Sequence, residues 1–222
     1  MKMNIKRIFD FFFALICLIV SFPIWLMLAF LIKFQDMGPV FYTQDRVGKN
    51  GRIFKSLKFR SMAYDAAKDT FFVQAKESDQ RVTKIGALLR ATALDELPQL
   101  INILKADMSF VGPRALVAIE KEVHSSIEKS IFEVPGFKER SIVRPGLTGI
   151  AQIFAPRDID REKKFKYDIW YIKNQNFLLD LYIIIVSFFV TFMGRWETRE
   201  DKFKILTKKF HLRLLKELQL SV

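Results

Sequence analysis

The amino-acid sequence predicts a helix-rich α/β fold, of the α+β type, attached to a membrane surface. Three observations predict it. Residues 11–32 contain no charged residue, residues 37–62 carry two short strand patterns around a turn, and most later segments repeat apolar residues at helical spacing. With 222 residues, the chain has room for one domain of ordinary size and a short appended element.

The composition favours a membrane-surface protein over a soluble nucleic-acid binder. The formal net charge is +12, yet half of the residues are hydrophobic and 23 are Phe. Basic residues bind anionic lipid head groups while aromatic and aliphatic side chains enter the acyl boundary, whereas a nucleic-acid binder needs only the charge. We therefore expect membrane lipid as a partner and no nucleic acid.

The cysteine and histidine content argues against two other classes of site. Cys17 is the only cysteine, which excludes an intrachain disulfide and a metal site built from several cysteines. His124 and His211 lie far apart and lack the HExxH spacing of a zinc hydrolase.

The uncharged run at 11–32 is long enough to span a bilayer, because its 22 residues would extend about 33 Å as a helix. Pro23 lies near its middle, where proline removes a helical hydrogen bond, and Ser21 offers a hydroxyl to the freed carbonyl. Basic residues flank the run on both sides, which favours the cytoplasmic side for both flanks. We therefore favour a re-entrant hairpin over residues 1–36, broken at Pro23, and keep a straight span as the alternative.

The main domain is expected at 37–193 and an amphipathic basic tail at 194–222. We expect the following segments: a β-hairpin at 37–62 with Gly48 and Gly51 around its turn, loop or loose helix at 63–80, helix from 81 to about 91, helix over 94–105, strand or loop at 109–117 followed by helix to about 130, turns at 143–153, and helix from about 158 to 174. The apolar segment 181–193 is too short for a span and predicts a core or interfacial helix. The tail is expected to lie on the membrane or to pack against a partner helix.

Two adjacent carboxylates, Asp95 and Glu96, open an apolar helical segment in the stretch RATALDELPQLINIL. Acids in a first helical turn are favoured by unpaired N–H groups, and Thr92 with Asp95 fits the capping-box spacing. A structural cap is therefore one interpretation of the pair, and a catalytic dyad is the other.

Five blocks of sequence carry a resemblance to a known family. In chain order they are KRIFDFFFALICLIVSFPIW, GPVFYTQDRVGKNGRIFKSLKFRSM, LLRATALDELPQLINILKADMSFVGPRALV, VRPGLTGIAQI and YDIWYIKNQNFLLDLYIII. Over residues 5–193 they resemble the bacterial sugar transferases, which are monotopic phosphoglycosyl transferases. The resemblance implies transfer of a sugar 1-phosphate from a UDP-sugar to polyprenyl (undecaprenyl) phosphate, with release of UMP. It places this first membrane step of glycan assembly on the cytoplasmic face of the bacterial inner membrane.

The resemblance also assigns roles to the two carboxylates. Asp95 would be the nucleophile, Glu96 would assist it, and both would hold Mg²⁺ as the cofactor. The chemistry agrees, because a carboxylate can accept a phosphoryl group and Mg²⁺ favours one or two carboxylates together with substrate phosphate. A helix-break-helix membrane element is implied as well; the family commonly has Ser-Pro at the break, where this chain has Ser21, Phe22 and Pro23.

Basic residues in the matching blocks are candidates for binding phosphate: Lys58, Arg60, Arg90, Arg114 and Arg144. The family often has Pro-Arg-Pro where this chain has Pro113, Arg114 and Ala115, which predicts a less rigid loop here. Gly146 and Gly149 are expected to allow a turn or a close approach of two backbones.

Two other functions stay open at this stage. One is a non-enzymatic scaffold docked on the membrane, and the other is a peripheral nucleic-acid binder. The sugar, the glycan pathway and the separate roles of the basic residues are not encoded in any spacing, and a homo-oligomer is left open.

Overall fold

The computed structural model of the chain describes residues 3–64, 81–121, 128–156, 159–192, 210 and 213–218. It is a mixed fold of helices and short strands with one long apolar N-terminal helix, as the sequence predicts. The elements are α1 (Met3–Asp36), β1 (Phe41–Val47), β2 (Ile53–Phe59), α2 (Lys84–Ala91), α3 (Gln99–Leu104), β3 (Ser109–Val111), β4 (Ile119–Lys121), β5 (Glu128–Ser130), α4 (Phe137–Arg140), β6 (Gly146–Thr148), α5 (Ile150–Phe154), α6 (Arg161–Asn174) and α7 (Phe177–Phe192). The loop expected at 63–80, most of the tail and both histidines lie outside the described residues.

Helix α1 runs for 34 residues with Pro23 inside it. In the part of the chain that the structure describes, it is the one helix long and apolar enough to cross a membrane. The helix continues through both Ser21 and Pro23, so the predicted interruption is not seen as a gap in the helix, and the re-entrant path stays a prediction. The Ser21 hydroxyl donates to the carbonyl of Leu18 (3.4 Å) and accepts from the indole N–H of Trp25 (3.1 Å). The carbonyl that Pro23 leaves without its helical partner is that of Ile19, one residue further on, so the prediction that the Ser21 hydroxyl satisfies the freed carbonyl was wrong.

Both ends of α1 contact the same globular body, the described residues from 37 to 192. Near its start, the guanidinium of Arg7 donates to the carbonyls of Ile103 and Leu104, each at 2.6 Å. At its end, the carboxylate of Asp36 pairs with Arg60. Apolar side chains between these ends are more than half exposed: Ile16, Ile19, Val20, Phe22, Leu26, Met27 and Phe30. A helix this apolar and this exposed needs a non-aqueous surrounding.

Strands β1 and β2 form the antiparallel hairpin that the sequence predicts. Its turn, Lys49–Gly51, contains two consecutive residues with positive φ, +55° at Asn50 and +79° at Gly51. Asn and Gly adopt this left-handed region most readily, so the turn residues explain why the chain reverses here.

Strands β3 and β6 pair in parallel and bring two distant loops together. At Gly146 a Cβ atom would lie 2.1 Å from the nitrogen of Gly112, and at Gly149 it would lie 2.2 Å from the carbonyl oxygen of Gly112. Only glycine permits backbones to approach this closely. The close approach predicted for Gly146 and Gly149 is therefore confirmed.

The helix expected between about 118 and 130 was a wrong prediction. Strands β4 and β5 occupy both ends of that segment and pair antiparallel, with Ile119 opposite Ser130. The segment is rich in residues with good helix propensity, and propensity is a weak local preference that strand pairing in the folded chain overrides.

The main core lies between α3, α5, α6 and α7, and α1 packs against it. Its most buried members include Ala14, Ile103, Ile150, Tyr171 and Ile183. Helix α7 buries Ile183 completely and leaves Phe188 64% exposed, which agrees with the core or interfacial helix predicted there. From the tail, Leu214 enters the same core and Phe210 packs against the rings of Trp170 and Tyr182.

Candidate active site

The two carboxylates lie in a short 3₁₀ turn, Leu94–Glu96, between α2 and α3. Thr92 does not cap this turn: its hydroxyl donates to the carbonyl of Leu88 at 2.8 Å and so closes the preceding helix. Ala93 follows in the left-handed region with φ of +53°, which reverses the chain sharply. No side chain caps either the turn or α3 at Pro98. The capping-box interpretation of Thr92 and Asp95 was therefore wrong.

Asp95 is a buried carboxylate with little to stabilise its charge. The residue is 8% exposed, it accepts no hydrogen bond from the described residues, and its nearest cation is the Lys58 ammonium at 3.8 Å. Burial raises the pKa of Asp95, and the neighbouring Glu96 adds to this, while Lys58, Arg90 and Arg114 oppose it. A largely buried carboxylate that accepts no hydrogen bond from the described residues keeps its lone pairs available for a reaction or for a cation.

Glu96 differs from Asp95 because it is paired. Its Oε1 lies 2.6 Å from Lys58 Nζ and 3.9 Å from Arg114 Nη2. Burial opposes ionisation of Glu96, yet the charges of Lys58 and Arg114 outweigh it and lower the pKa to about 2. Glu96 is thus the anion of the pair that stays ionised under all ordinary conditions.

A pocket beside Glu96 joins residues from four parts of the chain. It is lined by Arg46, Ser56, Lys58, Glu96, Gln99, Met108, Arg114, Ala115, Gly146, Leu147 and Gln152. Sequence reasoning missed the polar members Arg46, Ser56, Gln99 and Gln152. The alternation of side chains along the hairpin could have identified Arg46. Tyr42 pairs with Lys58 and Gln44 with Ser56, and every second residue of a strand lies on the same face, so Arg46 shares the face of Lys58 and Ser56.

Arg114 reaches the pocket because its loop is held at both sides. Its carbonyl accepts from Arg140 Nη2 at 2.8 Å, and Arg140 is in turn paired with the buried Asp168 at 2.9 Å. On the other side, the carbonyl of Ala115 accepts from Arg46 Nη1 at 3.1 Å. These contacts fix the loop in the absence of a second proline.

The remaining predicted basic residues divide into two groups. Arg90 lies close enough to Asp95 to affect its pKa, and its Nε donates to the hydroxyl of Ser61 at 2.9 Å. Arg60 and Arg144 are engaged elsewhere: Arg60 pairs with Asp36 of α1, and Arg144 Nε donates to the carbonyl of Ala106 at 2.7 Å. The structure therefore brings Lys58, Arg90 and Arg114 to the dyad and gives Arg60 and Arg144 other partners. Their role as phosphate ligands stays a prediction.

The residues at the dyad suit a cation that takes few protein ligands. No group of three or more His, Cys, Asp and Glu side chains converges anywhere in the described ranges. Asp95 nevertheless has lone pairs free of hydrogen bonds beside an ionised Glu96. Two carboxylates completed by substrate phosphate and water are the usual protein contribution to a Mg²⁺ site in phosphoryl transfer, so these residues fit that ion.

Comparisons with known proteins agree on one family. The sequence profile described as "Bacterial sugar transferase" matches residues 1–194. The chain is 39% identical, over 81% of its length and 81% of the relative, to "Exopolysaccharide production protein ExoY" of Sinorhizobium fredii. It is 39% identical to "UDP-glucose:undecaprenyl-phosphate glucose-1-phosphate transferase" of Klebsiella pneumoniae, over 87% of this chain and 41% of the relative. It is also 39% identical to "UDP-N-acetylgalactosamine-undecaprenyl-phosphate N-acetylgalactosaminephosphotransferase" of Aeromonas hydrophila, over 81% of this chain and 42% of the relative.

Proposed function

The chain belongs to the bacterial sugar transferase family, and from that premise we propose that it transfers a sugar 1-phosphate from a UDP-sugar to polyprenyl phosphate, releasing UMP. The observation that carries the proposal is the state of Asp95, buried and without a hydrogen bond from the described residues, beside the cationic pocket of Lys58 and Arg114. The donors and the acceptor in the names of two relatives support the substrate classes. The name of the Sinorhizobium relative supports a place in polysaccharide assembly.

The transfer proceeds in two displacements at the same phosphorus. First, a carboxylate oxygen of Asp95 attacks the phosphorus that carries the sugar, the bond from that phosphorus to the bridging oxygen breaks, and UMP leaves with the electron pair. Then an oxygen of polyprenyl phosphate attacks this phosphorus and the bond to Asp95 breaks. The carboxylate is restored and the product is a polyprenyl diphosphate sugar. Because the transfer is divided into two steps, the UDP-sugar and polyprenyl phosphate, which are both bulky anions, need not react directly with each other.

Charge in the pocket supports both displacements. Lys58 and Arg114 offset the repulsion between the attacking carboxylate and the diphosphate oxygens, since both lie within 4 Å of the dyad. Glu96 holds the Lys58 ammonium at 2.6 Å and so orients it toward Asp95. Asp95 and Glu96 would hold Mg²⁺, which supplies further neutralisation of phosphate charge when bound.

We further propose that α1 enters and leaves the same leaflet of the membrane. Arg7 near its start and Asp36 at its end both bind the globular body, and a body on one side of a bilayer keeps both of these ends on that side. The exposed apolar middle of the helix then lies in the acyl region. The basic flanks favour the cytoplasmic face, where a nucleotide sugar is available and the lipid acceptor is anchored.

The reaction is tested by trapping its first half. Purified protein is incubated with a panel of UDP-sugars and Mg²⁺ without lipid acceptor, and intact mass is followed by peptide mapping. We expect UMP release that stops at about one equivalent and a phosphosugar adduct on Asp95; addition of undecaprenyl phosphate should discharge it. UMP release that strictly requires the acceptor, with no adduct for any accepted donor, would favour direct transfer. Absence of turnover with every donor and acceptor would favour a scaffold.

The membrane path is tested by cysteine labelling in intact cells. Cys17 is the single cysteine, so a Cys17→Ala background allows Ile5→Cys and Gln35→Cys to be probed one at a time. Both positions are exposed in the structure. We expect neither to react with a membrane-impermeant maleimide until the cells are opened. Reaction at one end only in intact cells would show a straight span.

A further inference from the structure

Gln152 lines the pocket beside Glu96 and carries a buried side-chain oxygen without a partner. The residue is 6% exposed, and its amide N–H donates to the carbonyl of Leu147 at 3.0 Å. Its Oε1 has no hydrogen-bond partner among the described residues. Buried polar atoms are nearly always hydrogen-bonded in native proteins, so an exception in a pocket calls for a partner that arrives from outside.

No rotation of the Gln152 side-chain amide gives its oxygen a hydrogen-bond partner within the fold. The bond to Leu147 fixes the orientation of the amide, because a flipped side chain would set two carbonyl oxygens against each other. Gln152 is the third residue of α5, from which a glutamine can reach back to the N-cap N–H in a capping box. The N-cap here is Gly149, and Oε1 forms no bond to it.

We infer that Gln152 Oε1 accepts a hydrogen bond from a hydroxyl or N–H group of the nucleotide sugar bound in the pocket. The inference rests on the proposed function and adds a residue that selects the donor substrate. Arg46, Lys58 and Arg114 offer only cationic donors, which suit phosphate oxygens. Ser56, Gln99 and Gln152 line the same pocket with neutral acceptors, and the Gln152 oxygen is the one of the three that is fully buried and unpartnered in the described part of the chain, so it suits the uncharged part of the donor, either the nucleoside or the sugar. A pocket that leaves such an acceptor unpaired discriminates against ligands that lack the matching donor.

The experiment measures equilibrium binding to the purified full chain in detergent with Mg²⁺ and no acceptor. UMP and UDP are titrated into the parent protein, and UDP-glucose and UDP-N-acetylgalactosamine into an Asp95→Asn background that cannot turn over. Gln152→Met removes the acceptor at similar length. Thr148→Val is the matched control, because Thr148 Oγ1 is also buried and unpartnered but does not line the pocket. Thermal unfolding accompanies each variant, and Gln152→Leu replaces Gln152→Met should the latter not fold.

We expect the Gln152 variant to bind its ligands about tenfold more weakly and Thr148→Val to bind them as the parent does. Equal weakening for UMP and the UDP-sugars assigns the partner to the nucleotide; weakening confined to the UDP-sugars assigns it to the sugar. Unchanged affinity for every ligand, or an equal loss in Thr148→Val, overturns the inference and leaves the proposed function intact. Failure of the parent to bind any of the four ligands overturns the proposed function itself.

Discussion

Two groups of buried charge in this chain each combine aspartate with a lysine and differ in how the aspartates are hydrogen-bonded. The docking cluster, where α1 meets the globular body, consists of Lys6, Asp10, Ser109, Tyr171 and Asp180. Lys6 Nζ lies 2.6 Å from Asp180, the Tyr171 hydroxyl donates to the same carboxylate at 2.6 Å, and Asp10 accepts from Ser109 at 2.8 Å. Each carboxylate there has at least two hydrogen-bonding partners.

At the dyad, Asp95 has no hydrogen bond from the described residues and its nearest cation lies 3.8 Å away. Burial alone does not separate the two groups, because Asp10 and Asp180 are each 2% exposed and Asp95 is 8% exposed. What separates them is whether the acceptor capacity of each carboxylate is used. The buried carboxylates of the docking cluster thus use their acceptor capacity within the fold, whereas that of Asp95 is available for chemistry.

Removal of the Asp95 charge gives the sharpest test of this difference. Asp95→Asn should lower transfer by at least about 10⁴-fold, because an amide cannot replace the nucleophilic carboxylate. Its unfolding temperature should stay unchanged or rise, since a desolvated and poorly paired charge is lost. UMP release and thermal unfolding in detergent measure the two effects. Asp45→Asn, at an exposed position of β1, is the control that should change neither. A fully active Asp95→Asn enzyme would remove the nucleophile assignment.

The docking cluster should respond in the opposite way. Lys6→Met leaves Asp180 buried without its cation, and we expect the free energy of unfolding to fall by about 3–5 kcal/mol. Transfer per folded molecule should stay within about threefold of the parent. Lys33→Met, an exposed lysine near the other end of α1, is the matched control. Denaturant titration in detergent gives the stabilities. A Lys6→Met protein with parental stability and lost transfer would place catalytic charge in the docking cluster and end the comparison.

Elements with local signals were predictable from the sequence. The β1–β2 turn depends on Asn50 and Gly51, and the apolar spacing correctly predicted the ends of α2 and α6, although each helix begins three residues later than predicted. Strands β4 and β5 were not predictable, because each is stabilised by pairing with the other across a segment whose own propensity is helical. A local pattern cannot report a partner that only the folded chain supplies.

Contacts that form only in the folded chain also limit how much of the active site could be predicted from the sequence. Lys58, Arg114 and the dyad occur in recognisable motifs, and the fold brings them together. Gln99 and Gln152 occur in the same blocks, in LDELPQL and VRPGLTGIAQI, but no spacing within a block shows that the folded chain brings both side chains to one pocket. Arg60 carries a motif position as well, yet the fold pairs it with Asp36.

Two arginine substitutions should have effects of intermediate size on the kinetics. Arg114→Lys keeps the charge but removes the planar fork beside Glu96, and we expect kcat/KM to fall about 10- to 100-fold with little change in stability. Arg144→Lys should lower kcat/KM by less than about threefold and lower the unfolding temperature instead, because Arg144 holds the carbonyl of Ala106. Steady-state UMP release with varied UDP-sugar distinguishes them. An equal kinetic loss in both variants would support the phosphate-binding role first predicted for Arg144.

The smallest changes in stability are expected from removing one serine hydroxyl in the docking cluster, that of Ser109, and one in the pocket, that of Ser56. Ser109 donates to Asp10 at 2.8 Å, and Asp10 keeps the backbone N–H of Phe110 at 3.1 Å when that hydroxyl is removed. Ser109→Ala should therefore lower the free energy of unfolding by only about 1–2 kcal/mol. Ser56 lines the pocket and is equally buried, but no carboxylate pairs with it in the described part of the chain. Ser56→Ala should change stability by less than about 0.5 kcal/mol. Equal losses from the two substitutions would mean that hydrogen-bond satisfaction does not distinguish the docking cluster from the pocket.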